Sequence, residues 1–391
     1  MTARFLHTAD WQLGKPFAGV ADEQKRALLR QQRFDAVRRM GEVVRETGAA
    51  FVVVAGDLFD SPTPDKATVS AACSAIGSLG VPVYAIPGNH DHGGAGSLWE
   101  QEFFRREQAA LAPNFRILLE AKPVDAPGAV LFPCPLLRRH EAADPTAWLR
   151  SAADWNALAG DKPRIVLAHG SVQQFGTPLA DEEEGEAAGS NLLDLKRLEM
   201  AELDYLALGD WHGTKQVEPK AWYSGTPELD RFVKGEDHRP GQVLAVEAAR
   251  SRPPQVREIR TAAVGWHALS FRLAEAADVP RLQQMVETAI GTRVNGDLMR
   301  LELSGSLDLA AAAELEQMLE AWTARLLRVK LINQTVLAPS EAELESLTRH
   351  PGAPLISRVA GRLSELALSS GETAAVARLA LRELHAAAVK P

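Results

Sequence analysis

Cysteine is scarce in this chain: only two of its 391 residues are cysteines, Cys73 and Cys134. They lie far apart and form no C-x-x-C pair, which excludes a disulfide framework and a thiolate zinc cluster. Both are expected to be small core residues. An uncharged apolar run of about 18 residues is also missing, and the amino terminus shows no basic segment followed by an apolar one. We therefore expect a cytoplasmic protein that does not span a membrane.

An excess of positive charge is missing as well, because 43 Lys and Arg face 51 Asp and Glu and the net charge is -8. Such a balance argues against a protein that coats nucleic acid. Part of it comes from the segment DEEEGE, which indicates an exposed loop between about Pro178 and Asn191. One helix is nevertheless rich in positive charge, and its face is either a DNA contact or a solvated surface. This basic face is formed by Lys25, Arg26, Arg30, Arg33, Arg38 and Arg39.

Short apolar runs alternate with helical patterns as far as about residue 245. The runs FLHTAD, AFVVVAGD, VPVYAIPGNHD, AVLFPCPL, RIVLAHG and YLALGDWHG read as buried strands that end in polar residues. Between the first two, Phe34, Val37, Met40 and Val44 recur at helical spacing, so residues 22 to 47 are predicted to form a crossover helix. The pattern predicts a layered α/β fold.

The pattern changes after Trp266. Strand, helix, strand, helix and strand follow as far as about Leu337 and indicate a small α+β unit, and helices rich in Leu and Ala follow from Ser340. We therefore predict three segments, 1–260, 261–338 and 339–391.

Polar side chains stand directly behind the predicted strands of the first segment. Ligands of layered α/β folds gather at the carboxyl ends of strands, so these side chains are expected to lie together. A lone histidine such as His169 is more typical of a satisfied core residue, and only the whole set indicates a site. Its members are Asp10, Asp57, Asn89, His90, His169, Asp210 and His212.

The donor types in this set suit a divalent metal. Carboxylate and amide oxygens together with imidazole nitrogens form a mixed ligand field for Mn, Fe or Zn. Two such ions would hold a phosphoryl group and activate a water molecule. Asp57 is the best candidate to bridge them, because a carboxylate offers one oxygen to each ion.

The ordered set D-x-(H), GD, GNHD, H and G-x-x-H resembles the calcineurin-like metallophosphoesterase superfamily. Two further segments, HTADWQLG before the basic helix and YSGTPELDRF after the core, resemble its SbcD-type DNA repair exonucleases. The resemblance covers roughly residues 5 to 232. It implies a metallophosphoesterase β-sandwich flanked by helices, followed by a small capping domain and a helical tail.

The resemblance also implies a role for each site residue. A first metal would be held by Asp10, the position of Gln12, Asp57 and His212. A second would be held by Asp57, Asn89, His169 and the position of Asp210. His90 would orient the scissile phosphate or protonate the leaving oxygen, and Asp91 would hold the His90 ring.

Two positions depart from the family pattern. Gln12 stands where the family usually has histidine, and Asp210 stands for the first histidine of G-H-x-H. Both changes add oxygen donors, so we expect two Mn²⁺ ions, with Mg²⁺ or Fe²⁺ as alternatives. The two changes leave other interpretations open: a first metal that is held loosely, a weakened or one-metal site, or a degenerate site.

The leading hypothesis is a metal-dependent DNA nuclease. In the family that it resembles, the partner is an SbcC-type ABC ATPase with a coiled coil, and this chain contains no P-loop of its own. A docking face for that partner is predicted at Leu355, Ile356, Val359, Leu363, Leu366 and Leu368, which could equally pack on the chain's own core. The resemblance also suggests a homodimer. The alternatives are a phosphatase or phosphodiesterase that acts on a nucleotide or phosphoprotein, and a scaffold subunit with little activity.

Overall fold

A computed structural model describes residues 1–150, 155–172, 190–233, 235, 238–349 and 354–389 of the chain. These residues divide into two compact units, Met1–Val264 and Gly265–Pro391. The acidic loop predicted between Pro178 and Asn191 lies almost wholly outside the described residues. The division into three segments at residues 260 and 338 stays a prediction.

The first unit is built on two layers of β-strands. Its strands in chain order are β1 Thr2–Thr8, β2 Phe51–Ala55, β3 Val83–Ile86, β4 Phe115–Ile117, β5 Val124–Ala126, β6 Ala129–Cys134, β7 Arg164–His169, β8 Ser171–Val172, β9 Leu192–Leu193, β10 Tyr205–Gly209, β11 Lys215–Glu218, β12 Ala221–Tyr223, β13 Gln242–Ala249 and β14 Gln255–Arg260. Within the described part, one sheet has the order β14-β13-β1-β2-β3-β4 and the other β11-β12-β10-β7-β6-β5, while β8 pairs with β9. The strands β1, β2 and β3 are parallel, as are β6, β7 and β10.

Helices cover the outer faces of these sheets. They are α1 Glu23–Thr47, α2 Lys66–Gly77, α3 Glu102–Leu111 and α4 Trp155–Ala159, with 3-10 turns at Leu98–Glu100, Ala147–Arg150 and Leu195–Arg197. The crossover helix predicted between β1 and β2 is α1: Asp22 caps its first turn and Gly48, at φ 65°, ends it. The predicted layered α/β fold is therefore confirmed.

The alternation of side chains along each strand produces two separate cores. On one face of the first sheet, Leu6, Val52 and Val54 pack with residues of α1, α2 and α3. On the other face, Phe5 and Phe51 pack with side chains of the second sheet. The strand β2 is therefore apolar on both faces, as expected of a central strand in a parallel sheet that is covered on both sides.

His7 is a polar residue within the core between the sheets. Its Nε2 lies 3.2 Å from the carbonyl oxygen of Leu208, which only accepts, so this nitrogen donates. Its Nδ1 therefore accepts from the hydroxyl of Tyr205, at 2.9 Å. Burial lowers the pKa of His7 to about 3, so the ring is neutral in the folded chain.

The second unit begins with a strand–helix alternation. Its elements are β15 Gly265–Leu273, α5 Asp278–Ile290, β16 Asp297–Leu307, α6 Leu309–Arg325, β17 Arg328–Leu337, α7 Glu341–Thr348, α8 Pro354–Ala367 and α9 Glu372–Val389. The three strands form a parallel sheet, as the intervening helices require. A capping box of Ser340 and Glu343 begins α7, at the residue from which the helices of the tail are predicted to start.

The two cysteines are buried thiols in the first unit, as expected of small core residues. Burial raises the pKa of Cys73 to about 11 and that of Cys134 to about 12, which keeps both thiols protonated. None of the described helices combines the length and hydropathy that crossing a bilayer requires.

The neutral His7 makes stability depend on pH. Its pKa rises from about 3 in the folded chain to 6.5 on unfolding, so its contribution is complete above pH 6.5 and is lost as the pH falls toward 3. Below pH 6.5 each pH unit should cost about 1.4 kcal/mol of unfolding free energy through this group. Urea denaturation at each pH from 7 to 4 gives the unfolding free energy of the wild type and of His7→Gln. This free energy should fall less steeply with decreasing pH in the variant. Equal slopes would contradict a neutral buried His7.

Candidate metal centre

The candidate site lies where the carboxyl ends of strands from both sheets meet. His169, at the end of β7, donates from Nδ1 to the carbonyl oxygen of Ala55 at the end of β2, at 2.7 Å. The backbone amide of Asp210, just after β10, donates to Oδ1 of Asp10, just after β1, at 3.1 Å. The polar residues predicted from the strand ends are thus brought together by bonds between the two sheets.

Four of these residues have left-handed backbone, which side chains other than glycine rarely adopt. The φ angles are 54° at Asp10, 41° at Gln12, 56° at Asp57 and 103° at Asp210. Such residues cost roughly 1–3 kcal/mol each and cluster at functional sites. Backbone bonds hold them in place, because the amide of Asp10 donates to Gly56 O at 3.1 Å and that of Gln12 donates to Asp57 O at 3.0 Å.

A group of buried donors forms the middle of the site. Among the described residues, one group of His, Cys, Asp or Glu side chains has its ligand atoms all within 4.8 Å of one another: Asp10, Asp57 and His169. The Nε2 atom of His169 lies 2.9 Å from Asn89 Oδ1, 3.6 Å from Asp57 Oδ2 and 3.9 Å from Asp210 Oδ1. Three of the predicted residues therefore lie within 4 Å of one imidazole nitrogen, and Oδ1 of Asp10 lies 4.0 Å from the other nitrogen, Nδ1.

The electrostatics of this group favour a cation. Burial raises the pKa of Asp10 to about 6, and it raises the pKa of Asp210 as well. Burial also disfavours charge on His169, but the carboxylates of Asp57, Asp10 and Asp210 outweigh it and raise the pKa of His169 to about 9. A proton on His169 thus supplies positive charge that a divalent ion would supply more fully. The oxygen and nitrogen donors fit such an ion.

Two glycines leave the space that this group needs. A Cβ on Gly56, whose φ is 97°, would lie 2.2 Å from His169 Nδ1. A Cβ on Gly88 would lie 2.1 Å from Asp57 Oδ1. No side chain is tolerated at those distances, so the glycines of V-x-V-A-G-D and PGNHD are required by the site itself.

The predicted residues Gln12 and His212 lie together at one side of this group. Nε2 of Gln12 is 3.4 Å from Nε2 of His212, and His212 Nδ1 is 2.8 Å from Asp230 Oδ2. Lys15 Nζ donates to Gln12 Oε1 at 3.0 Å. Sequence reasoning missed Lys15 and Asp230, although both lie within the segments HTADWQLGK and YSGTPELDRF.

Asp230 stays ionised in this group. Burial alone would raise its pKa, but the charge of Arg231 and the hydrogen bond from His212 hold the pKa well below the usual range of an aspartate. A fixed carboxylate behind His212 determines the tautomer and the direction of that ring.

His90 and Asp91 follow Asn89 in the loop after β3. The ring of His90 donates from Nδ1 to the carbonyl oxygen of Asp60, at 2.9 Å. We expected Asp91 to hold that ring; instead its carboxylate accepts from the backbone amides of Leu58, Phe59 and Gly88, at 2.7, 3.1 and 2.7 Å. Burial, and next the charge of Asp57, raise the pKa of Asp91 to about 7. Asp91 therefore connects two loops of the site, and the His90 ring is held by the carbonyl group of Asp60 instead.

Arg33 of the basic helix is buried and contacts the backbone segments that carry the site residues. Its guanidinium donates to the carbonyl oxygens of Trp11, Asp10 and Glu228 at 2.7, 3.1 and 3.2 Å, and to the Thr226 hydroxyl at 3.0 Å. This arginine therefore joins the segment after β1 to the segment after β12. The Trp11 ring is buried in the core between the first sheet and its helices, and its indole donates to the Thr8 hydroxyl at 2.9 Å.

The other arginines of α1 also have partners within the protein. Arg39 pairs with the buried Glu228 at 2.8 Å. Nearer the start of the helix, Arg26 and Arg30 both pair with Glu23. The first arginines of the helix therefore pair with an acid of the helix itself, whereas Arg39 pairs with an acid outside it.

Comparisons with known proteins identify the same stretch of chain. A family model for calcineurin-like phosphoesterases matches residues 3–214, which is more than half of the sequence. One solved structure is 14% identical, with an alignment that covers 66% of this chain and 99% of that one and a TM-score of 0.41. A likeness at that level carries no conclusion about function.

Metal binding should release a proton. An ion bound by His169 must displace the proton that its pKa of about 9 retains, so affinity for Mn²⁺ should rise by up to about tenfold per pH unit between about pH 6 and pH 8. Calorimetric titration in two buffers of different ionisation enthalpy measures the number of protons released and the affinity for Mn²⁺. The variant His140→Gln, which removes an exposed histidine, is the control and should keep the wild-type slope. An affinity independent of pH would contradict the assignment.

Gly56→Ala should abolish metal binding. Its Cβ would overlap His169, whereas Gly48→Ala, also on left-handed backbone at φ 65°, meets nothing within 4 Å. Both variants place a side chain on backbone with a positive φ, but only Gly56→Ala adds the overlap with His169. Titration of both folded variants with Mn²⁺ should show binding by Gly48→Ala alone. Wild-type affinity in Gly56→Ala would rule out this arrangement.

Proposed function

Because the chain belongs to the calcineurin-like phosphoesterase family, whose members are metal-dependent hydrolases of phosphoester bonds, we propose that it is a nuclease that cleaves DNA. The buried group of Asp10, Asp57 and His169 supplies the candidate metal site that such an enzyme needs. Mn²⁺ is the metal that we propose, because oxygen donors outnumber nitrogen donors.

One observation carries the choice of DNA. Arg33 of the basic helix bonds to Asp10 and Trp11 in HTADWQLG and to Thr226 and Glu228 in YSGTPELDRF. These segments are the ones that resemble SbcD-type exonucleases, and here they form one buried unit beside the metal ligand Asp10. Their joint role in the site supports assignment to that branch of the family.

Several side chains would serve the hydrolysis directly. A bound divalent ion would polarise a phosphoryl oxygen and lower the pKa of a bound water. The ring of His90 donates from Nδ1 to Asp60 O, so its neutral form presents the lone pair at Nε2. From that nitrogen His90 would orient the scissile phosphate or, when protonated, donate to the leaving oxygen.

The second unit supports a role for a partner. Within α8 and just after it, Leu355, Val359 and Leu368 are exposed, at 75%, 41% and 89%. Leu363 instead packs on a small core in the same unit. These exposed apolar side chains support docking of an SbcC-type ATPase, which would supply any ATP-driven step. A homodimer stays a prediction from the resemblance.

A different substrate is favoured by one feature. Because Arg26 and Arg30 pair with Glu23, the basic helix offers less positive charge to a phosphate backbone than its sequence indicates. A phosphodiesterase or phosphatase that acts on a nucleotide or phosphoprotein is therefore the second candidate.

Asp57→Asn should abolish DNA cleavage. The purified chain, incubated with end-labelled single- and double-stranded DNA, should cleave in Mn²⁺ and lose at least about 100-fold of its rate in the variant, because Asp57 lies at the centre of the donor group. The matched control is Asp161→Asn, at an exposed carboxylate, and should behave as wild type.

A small diester, bis-p-nitrophenyl phosphate, separates the alternatives in the same assay. Hydrolysis of this compound with DNA left intact would contradict the nuclease and favour the phosphodiesterase. Inactivity on both substrates would favour a scaffold subunit.

A further inference from the structure

Gln12 and His212, both expected as ligands of a first ion, are bonded to each other. We propose that this chain binds one divalent ion tightly, at Asp10, Asp57, Asn89, His169 and Asp210, and that a group of four side chains replaces the second ion. That group, the Lys15 network, consists of Lys15, Gln12, His212 and Asp230. The inference refines the metal-dependent function proposed above, since it concerns the number of ions in the same site.

Lys15 determines which way the Gln12 amide faces. Its ammonium lies 3.0 Å from Gln12 Oε1 and can only donate, so the amide oxygen must face the lysine. The amide NH₂ then faces His212, whose Nε2 is 3.4 Å away. An amide NH₂ offers no lone pair to a metal, and the oxygen that would bind one accepts a hydrogen bond from Lys15.

Both ring nitrogens of His212 are likewise engaged in hydrogen bonds within the protein. Its Nδ1 lies 2.8 Å from Oδ2 of the buried Asp230, a carboxylate that only accepts, so Nδ1 carries the hydrogen. Arg231 lies 3.1 Å from the same nitrogen, but it donates to Asp230 Oδ2 at 2.9 Å. A bare Nδ1 would place two acceptors against each other. The lone pair of His212 is therefore on Nε2, where it accepts from Gln12.

The Lys15 network also supplies the charge that a second ion would bring. Lys15 Nζ lies 3.4 Å from Asp60 Oδ1 and 3.8 Å from Asp230 Oδ2, and its side chain is 16% exposed. The ammonium thus neutralises carboxylates that would otherwise attract a cation. A fixed positive charge next to Gln12 also repels a divalent ion at that position.

Asp210 has the opposite effect on the remaining ion. Ser171 Oγ donates to its Oδ2 at 2.7 Å, which directs the carboxylate. The other oxygen, Oδ1, lies 3.9 Å from His169 Nε2. Asp210 thus adds a negative oxygen to the group around His169. Of the two departures from the family pattern, Asp210 adds a donor to the site of the single ion, and Gln12 removes a ligand from the site of the second ion.

Counting bound ions tests the proposal. The full chain, stripped with a chelator and titrated with Mn²⁺, should bind one equivalent by calorimetry and by elemental analysis after desalting. Its Mn²⁺ spectrum in electron paramagnetic resonance should be that of an isolated ion. Two equivalents with affinities within about tenfold of each other, or an exchange-coupled pair, would overturn it.

A pair of substitutions tests the part played by the Lys15 network. The double variant Gln12→His, Lys15→Met restores an imidazole and removes the ammonium, so it should bind a second equivalent. Lys122→Met, which removes an exposed ammonium paired with Glu120, should still bind one. A folded double variant that binds only one ion would contradict the network's role. If the double variant does not fold, the wild-type count decides.

Ion counting does not depend on any substrate, so it separates this proposal from the proposed function. A chain that binds one ion and leaves DNA intact would support the single ion and contradict the nuclease. A chain that cleaves DNA with two tightly bound ions would do the reverse.

Discussion

Negative charge gathered at one buried point is the constraint on which this structure depends. Asp10, Asp57 and Asp210 lie within 4 Å of the His169 ring, where Asp10 and Asp57 are buried and the Asp210 side chain is 11% exposed. Keeping these groups ionised there costs free energy unless a cation is present. A site built around a positive charge accounts for three features: the raised pKa of His169, the left-handed backbone of the aspartates, and the glycines that pack against the site.

The fold serves this constraint by supplying rigid strand ends from two sheets. Parallel strands with apolar side chains on both faces hold Asp10, Asp57 and His169 at fixed positions. Arg33 extends the support, since one buried guanidinium accounts for four acceptors in two distant segments. Burying an arginine costs free energy unless its donors are paired, and here they are. A helix whose sequence looks like a charged surface thus contributes its central arginine to the interior.

Sequence patterns were sufficient for the strands, the crossover helix and the strand-end residues. Those features follow from local periodicity and from the rule that parallel strands end at a common edge. The bonds between side chains were not predictable, because their partners lie far apart along the chain: Gln12 and His212 are separated by 200 positions. Asp91 was assigned wrongly for that reason, because two of its donors, the amides of Leu58 and Phe59, belong to another loop. Lys15 was missed although Gln12 is only three positions away, because its other partners, Asp60 and Asp230, belong to distant segments. The segment boundaries and the assignment of each metal ligand stay predictions.

The origin of the ligands in two sheets has a consequence for how activity first arises. Asp10 emerges early in synthesis, whereas His169 and Asp210 come from strands made much later, and neither sheet alone holds a complete donor set. A nascent or half-folded chain therefore has no assembled centre with which to attack a phosphoester. Hydrolytic capacity appears only when the sandwich has closed, so the packing that stabilises the fold also delays a destructive activity until the enzyme is complete.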